Sequence, residues 1–430
     1  MRRSSARRKS LRIFLVAGEA SGDELGAGLM RALRVARSDV EFAGVGGEAM
    51  AREGLASLFP LSDIAVMGLI PVLARLPRIM ARIDATVRAA IDFAPDCLVI
   101  VDAPDFTHRV ARGLRAARRD VPIVDYVSPT VWAWRPGRAR AMRDYVDCIL
   151  ALLPFEPEAH ARLGGPRCVY VGHPLVERLD ELTPDSSAQE REEARPLLLI
   201  LPGSRLAEIQ RMTPLYGETL ELLLRARPNI DVAIPVAPNM EAALARELRD
   251  WPLDHAAFGR NRPNADHVID SKSLERALSE KPDSTFSRRA LAPRLLSQAE
   301  KFAAFRKARA ALVTSGAATL ELALAGAPMV VAYKVSKAES LLRFLVKVDS
   351  IVLPNLVIGE RAVPEFLQEA ATPRALVDAL TPLFDDGPAR AAQLAAFARV
   401  RAKLLEAGGN PSARAAEIVL EYAERGARSI

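Results

Sequence analysis

Asp102-Ala103-Pro104-Asp105-Phe106 places two carboxylates where the chain leaves a short apolar run, Leu98 to Val101. Open α/β sheets bind ligands outside the carboxyl ends of their strands. A carboxylate there can take the proton from an attacking hydroxyl that lies within hydrogen-bond reach. Asp102 is therefore expected to act as a base, and Asp105 to cap or support the helix that follows. A second block, Gly18-Glu19-Ala20-Ser21-Gly22-Asp23, follows the run Ile13 to Ala17. Its glycines let backbone N–H groups and a helix N-terminus approach a ligand closely, and Ser21 or Asp23 can cap that helix. A tight capped turn alone leaves Glu19 unaccounted for. The spacing is not the G-x-G-x-x-G of dinucleotide sites, so no such cofactor is expected.

The second half of the chain offers anion chemistry. Leu201-Pro202-Gly203-Ser204-Arg205, with Glu208 a turn later, follows a strand and precedes a helix. Gly203 and Ser204 allow close backbone approach, and Arg205 supplies a planar fork for phosphate oxygens. Thr314-Ser315-Gly316-Ala317-Ala318-Thr319-Leu320-Glu321 opens a helix with small residues, whose N–H groups and dipole favour an anion. The two blocks read as halves of a pyrophosphate grip, with Glu321 placed to accept ribose hydroxyls. Back in the first half, Trp132 and Trp134 stand two apart in the stretch Tyr126 to Arg135. They either stack on a sugar, line an acyl groove or pack a wide loop. His173, in Gly172-His173-Pro174 at a strand end, is either a functional group facing an interdomain cleft or a structural histidine.

These blocks need a scaffold, and the sequence alternates short apolar strands with amphipathic helices, the pattern of an α/β protein with parallel sheets. Strands are expected at Arg12 to Ala17, Glu41 to Val45, Leu98 to Val101, Ile123 to Val127, Cys148 to Leu152 and Cys168 to Val171. Helices are expected at Leu25 to Arg37, Leu76 to Phe93, His108 to Arg118, Arg138 to Asp144 and Glu156 to Leu163. This makes one doubly wound domain over 11–181, with 182–196 as a polar linker. A second domain over 197–371 has strands at Leu197 to Leu201, Val232 to Val236, Ala311 to Thr314 and Met329 to Tyr333. Its helices are Leu215 to Ala226, Met240 to Leu248 and Ala318 to Ala325, and 372–430 is helical, Ala-rich and charged. The polar stretch 254–300 breaks the rhythm and is expected to be a disordered insertion, and 1–10 a disordered basic tail.

The 430 residues, 50% hydrophobic, suffice for two cores and contain no run of 18 apolar positions, which reads as a soluble or peripheral protein. Five basic residues within 1–10, ahead of Ile13 to Ala17, imitate a signal peptide, but that run is too short and enters a Gly/Ser/Asp loop, as a first buried strand does. Cys97, Cys148 and Cys168 have no C-x-x-C spacing and are expected to be buried thiols in a reducing compartment. The net charge of +6 favours an anionic partner. Nucleic acid is the weaker candidate, because aromatics make up only 5% and no stacking or zinc-finger pattern occurs. No metal-ligand cluster is read from the sequence.

The blocks Ala17 to Asp23, Ala65-Val66-Met67-Gly68, Asp102 to Phe106, Tyr126 to Arg135, Leu153-Pro154-Phe155-Glu156, Val171 to Pro174, Pro202 to Arg205, Ser315 to Glu321 and Leu353-Pro354-Asn355-Leu356 recur in one known order. In order and spacing this set resembles the lipid-A-disaccharide synthase family over nearly the whole chain. The resemblance implies a GT-B fold, two Rossmann-like doubly wound domains facing across a cleft. It implies an inverting transfer from UDP-2,3-diacylglucosamine to 2,3-diacylglucosamine 1-phosphate, giving a β-1,6-linked disaccharide and UDP. Asp102 would deprotonate the acceptor's 6-hydroxyl, while Arg205 and the Ser315-Gly316 turn stabilise the departing UDP. The family also implicates Asn355 in donor binding and Glu19 and Ser21 in acceptor or catalytic contacts. With His173 they complete the catalytic candidates, and Gly203, Ser204, Thr319 and Glu321 the donor set. Asp105, Trp132, Trp134 and Met67 are candidates for the acceptor and its acyl chains. The family further implies a cytoplasmic protein held peripherally at the inner face of the inner membrane, and a dimer exchanging C-terminal elements.

Membrane attachment has a sequence basis of its own. Val66 to Ile91 mixes Met67, Leu69, Leu73, Leu76, Ile79 and Met80 with Arg75, Arg78, Arg82 and Arg88, a basic amphipathic pattern suited to an anionic leaflet, or an ordinary core-facing helix. Lys334 to Lys347 offers a second such surface. The 254–300 stretch and the basic tail are departures from the family's pattern. Two other functions share the UDP grip: a nucleotide-sugar epimerase, recognised by turnover without an acceptor, and a non-catalytic UDP-lipid-binding protein.

Overall fold

Aliphatic runs too short for helices, bounded by Gly, Pro or Asp, become strands buried on both faces of a parallel sheet. A computed structural model describes residues 10–64, 69–183, 195–237, 239–251, 293–335 and 348–425. Among them the first sheet holds β1 (Leu11–Ala17), β2 (Val40–Val45), β3 (Cys97–Val101), β4 (Ile123–Tyr126), β5 (Cys148–Ala151) and β6 (Arg167–Tyr170). The second holds β7 (Leu197–Leu201), β8 (Asp231–Pro235), β9 (Arg294–Leu296), β10 (Ala308–Thr314), β11 (Met329–Tyr333) and β12 (Glu365–Leu367). Every pairing is parallel. All five residues of β3, Cys-Leu-Val-Ile-Val, are buried, as a central parallel strand requires.

The strand orders are β2-β1-β3-β4-β5-β6 and β12-β11-β10-β7-β8-β9. In each sheet the chain lays down strands in one direction, then returns to the other side of its first strand. The reversal falls between β1 and β3 in one sheet and between β7 and β10 in the other. Those switch points are where doubly wound sheets open a crevice beyond the strand ends.

The described chain divides into two compact units. The first runs to Arg178 and resumes at Ala402; the second lies between, from Leu179 to Arg401, apart from 348–349, which group with the first. The helices of 372–430 are thus shared out. Pro373–Leu380 places Leu376, Val377 and Leu380 in the core of the second unit, whereas Pro411–Arg425 places Ala415, Ala416, Val419 and Tyr422 in the core of the first. The division falls within the helix Pro388–Leu405.

Three sequence expectations are corrected. The helices expected to start at Leu76 and Leu215 begin at Leu69 and Leu206, because Pro77 and Pro214, which look like helix starts, lie inside them. The expected insertion does not extend to residue 300: Arg294–Leu296 pairs with β8 as an edge strand, and the turn after it leads into the helix Lys301–Lys307. Cys97 and Cys148 are buried, but Cys168 is only half-buried. Residues 254–292 of the insertion, 1–9 of the basic tail, 184–194 of the linker, Met67 and 336–347 of the second basic surface lie outside the described residues.

In the helix Leu69–Phe93, side chains are described from Leu76 onward. Ile83, Thr86 and Ala90 face the core, while Leu76 and Met80 are exposed. Arg78 and Arg82 both bind the buried Asp63 and so serve the fold as well as the surface. No helix among the described residues is long and apolar enough to cross a membrane.

Candidate active site

The β1–β3 register pairs Ala17 with Val101, so the next residues, Gly18 and Asp102, emerge side by side at the first switch point. Ser21 Oγ donates to Asp102 Oδ2 at 2.8 Å, and the Ala103 N–H donates to Oδ1 at 2.8 Å. One hydrogen bond on each oxygen orients the carboxylate. Asp102 and Ala103 are both left-handed, at φ 55° and 44°, a conformation that costs of the order of 1–3 kcal/mol per non-glycine residue. Thr107 steadies it by donating its hydroxyl to the carbonyls of Asp102 and Ala103. The structure thus brings Ser21 and Asp102 together, with Glu19 at the start of the helix Ala20–Ala36.

The glycines of this block serve the protein itself rather than close approach to a ligand. A Cβ on Gly18 would lie 2.3 Å from the Ala103 Cβ, and one on Gly22 would lie 2.9 Å from the Val101 carbonyl oxygen. Asp23 points away from Asp102 and accepts the N–H groups of Gly47, Ala49 and Met50 at 2.7, 2.8 and 3.1 Å, capping the helix Glu48–Arg52. Asp105 neither caps nor touches Asp102. It is exposed on the first turn of the helix Pro104–Ala117, 3.1 Å from Arg138.

The tryptophan loop after β4 is held from below. Trp132 donates its indole N–H to Glu156 at 3.2 Å and meets the Phe155 ring edge-on at 5.0 Å, while Trp134 lies under the Arg135 guanidinium. Packing therefore accounts for Trp132. Burial pushes the Glu156 carboxyl up to about 7, against the Leu153 N–H and Trp132 bonds that favour its charge. A carboxyl raised from 4.5 to about 7 contributes stability that is full below about 4.5 and lost as pH rises through 7. Relative to Glu156→Gln, the protein is expected to lose about 3 kcal/mol of stability between pH 5 and 8. Denaturant titrations of both proteins at several pH values check this; parallel stability–pH curves would refute it. Beside Glu156, the buried His160 shares a 2.8 Å hydrogen bond with Ser128, and burial lowers its pKa to about 4.

His173 is also lowered by burial to about 4, so its ring is neutral at pH 7. The Leu175 N–H donates to Nδ1 at 3.2 Å, which leaves the ring proton on Nε2. His173 can therefore offer a hydrogen bond but is ill-suited to accept a proton there.

Sequence reading missed a buried cluster beneath β4. Asp125, the register partner of Ile100, lies 3.1 Å from His108 Nε2, and His108 Nδ1 lies 3.0 Å from the Tyr145 hydroxyl. Burial raises the Asp125 carboxyl above its ordinary range. A carboxylate within an otherwise apolar central strand was the available signal.

The second switch point holds a pocket of about 230 Å³, within the second unit. The register pairs Leu201 with Val313, so the blocks after β7 and β10 emerge together. Gly203, Ser204, Ser315, Gly316 and Glu321 line the pocket. Gly203 is required: its φ is +124°, and a Cβ there would lie 2.5 Å from the Glu208 Cβ.

Arg205, Thr319 and Asn355 do not line this pocket. Arg205 is exposed, with its guanidinium 3.4 Å from Glu208, whose other oxygen accepts the Ser204 N–H. Thr319 is buried and turns its hydroxyl back to the Gly316 carbonyl. Asn355 is buried, giving Nδ2 to the Val363 carbonyl at 2.9 Å and taking the Val363 N–H on Oδ1 at 2.8 Å. Asn355→Ala is expected to cost about 2 kcal/mol of stability while changing UDP affinity less than about twofold. Calorimetry with UDP checks it; lost affinity at unchanged stability would restore the donor role.

The pocket's cation is Lys301, whose ammonium lies 2.6 Å from Glu321. It follows directly on the polar stretch 254–300 that was expected to be an insertion. In the turn Ser297-Gln298-Ala299-Glu300 before it, Glu300 accepts both the Ser297 N–H at 3.0 Å and the Ser297 hydroxyl at 2.8 Å, and its own N–H donates to the Ser297 carbonyl. That turn leads directly into the helix beginning at Lys301.

Comparison with known proteins bears on both crevices. The family model for lipid-A-disaccharide synthetase matches residues 13–257 and 281–419. A lipid-A-disaccharide synthase of Nitrobacter hamburgensis is 47% identical over 428 residues, 98% of each chain. One from Rhodospirillum centenum is 40% identical, covering 96% of this chain and 94% of its own. Among solved structures, UDP-GlcNAc 2-epimerase from Neisseria meningitidis, bound to UDP-GlcNAc, aligns with a TM-score of 0.56 at 12% identity, covering 96% of this chain and 99% of its own. That likeness is one of fold, two Rossmann-like domains of the GT-B class.

Proposed function

Since the chain belongs to the lipid-A-disaccharide synthase family and is a glycosyltransferase of lipid A synthesis, we propose that it condenses UDP-2,3-diacylglucosamine with 2,3-diacylglucosamine 1-phosphate. The products are the β-1,6-linked disaccharide 1-phosphate and UDP, with inversion at the anomeric carbon. The observation that carries this reading is the Asp102 carboxylate at the first switch point, oriented by Ser21 and the Ala103 N–H.

Asp102 accepts the proton of the acceptor's 6-hydroxyl as that oxygen bonds to the anomeric carbon. The bond from that carbon to the phosphate oxygen breaks, and its electron pair leaves with UDP. Ser21 positions the base. In the second unit, Ser315 and Gly316 at the head of the helix Ala318–Leu324, with Lys301 beside them, provide the polar wall for the donor. Arg205 keeps a role only if its exposed guanidinium turns from Glu208 to the leaving diphosphate. His173 enters as a neutral N–H donor to substrate oxygen, not as a second base. Glu19 and the tryptophan loop fall to the acceptor.

Acyl chains on both substrates call for work at a lipid surface, and the exposed Leu76 and Met80 on a helix bearing Arg88 support the cytoplasmic face of the inner membrane as its place. Incubating the purified protein with both acylated sugars and following UDP release tests the proposal. Disaccharide formation that needs both lipids is expected. UDP release independent of the acceptor, with no disaccharide, would overturn it and return the epimerase reading.

A further inference from the structure

The pocket of the second unit is lined by two carboxylates, Glu208 and Glu321, and one ammonium, Lys301. Glu208 is fully engaged: one oxygen takes the Ser204 N–H and the other faces Arg205. Glu321 differs. Its side chain is only 14% exposed, and one oxygen, Oε2, lies 2.6 Å from Lys301 Nζ. The ammonium is itself constrained, 20% exposed and 5.3 and 5.4 Å from the ring centres of Phe302 and Phe305. The turn before the helix that carries it is held by the Ser297 N–H and hydroxyl, both donated to Glu300.

An ionised carboxylate is an acceptor with no proton to give, and the two hydroxyls of a ribose are a matched pair of donors. To use that match, a carboxylate must be held in one rotamer; a free glutamate loses the entropy of ordering on every binding event. We propose that Lys301 is a positioning residue for nucleotide selection: by clamping one oxygen of Glu321 it presents the other to the 2′- and 3′-hydroxyls of the donor's ribose. This rests on the reading of the pocket as a UDP-sugar site. The clamp also offsets one of the two negative charges that an incoming diphosphate would meet.

The test is calorimetric binding of UDP and of 2′-deoxy-UDP to the full-length parent protein and its variants. The parent is expected to prefer UDP by about tenfold or more, as a charge-assisted hydrogen bond to one hydroxyl would give. In Lys301→Met that preference falls to within about threefold of unity, and in Lys301→Gln, which keeps a donor but no charge, it falls by less. Glu321→Gln loses the preference alike, and the Lys301→Met/Glu321→Gln pair loses no more than either alone, because the two act as one unit. If Lys301→Met unfolds, Lys301→Gln carries the comparison. Unchanged preference in the Lys301 variants, or equal weakening of both nucleotides, would overturn the proposal. A parent protein that binds UDP without discrimination sinks this inference alone, whereas one that binds no UDP sinks the donor-site reading beneath it.

Discussion

Asparagine at position 102 is expected to lower turnover about a thousandfold while leaving UDP affinity unchanged and the thermal midpoint within about 2 °C. The side chain keeps its size, its Oδ1 still accepts the Ala103 N–H, and the Ser21 hydroxyl can rotate to accept from the new amide. Asparagine also tolerates the left-handed backbone that Asp102 adopts at φ 55°. What disappears is the capacity to take a proton, so the loss falls on turnover rather than on donor binding, which we propose for the other unit. Steady-state kinetics with both lipid substrates decides it. Turnover within about tenfold of the parent would remove Asp102 from the role of base.

The largest expected effect on stability comes from the same motif that supplies Ser21. Asp23→Ala removes the acceptor of three backbone N–H groups, and all three then face a site that is only 6% exposed in the parent. Donors stranded without water cost about 1–3 kcal/mol each, partly relieved by local adjustment, so a total near 4 kcal/mol is expected. For a unit of this size that corresponds to a fall in midpoint of about 10 °C. Thermal unfolding followed by circular dichroism measures it. A loss under about 1 kcal/mol would mean that Glu48–Arg52 is capped by other means.

Ser21 and Asp23 differ by two residues, yet one meets the candidate base and the other caps a distant helix. Sequence spacing marks such a block as special but leaves open which polar member faces outward, because that depends on the register between β1 and β3. Ten of the twelve described strands were legible because buried parallel strands are unbroken aliphatic runs, whereas the three-residue edge strands β9 and β12 were not. The strand order was not legible either, yet it is the reversal at β1/β3 and β7/β10 that turns separate loops into sites. Arg205 and Lys301 show how far block and position can diverge. The arginine stands in a recognisable block and lies exposed beside Glu208, whereas the lysine follows an unpatterned polar stretch and lines the pocket. Composition sees only that polar stretch; the edge pairing of β9 with β8 and the Ser297–Glu300 turn bring Lys301 to the pocket.

The split of the first unit along the chain carries a consequence for synthesis. Its core includes Ala415, Ala416, Val419 and Tyr422, so the core between the β1–β3 sheet and the helix Ala20–Ala36 stays incomplete until the helix Pro411–Arg425 has left the ribosome. Roughly 220 residues separate Arg178 from Ala402, on the order of 10–45 s of translation. Throughout that interval Leu29, Leu33 and their neighbours wait as an open apolar surface while the whole second unit is made. Nascent chains halted anywhere in that window should therefore be the species that chaperones hold, and release should coincide with the appearance of residues 411–425.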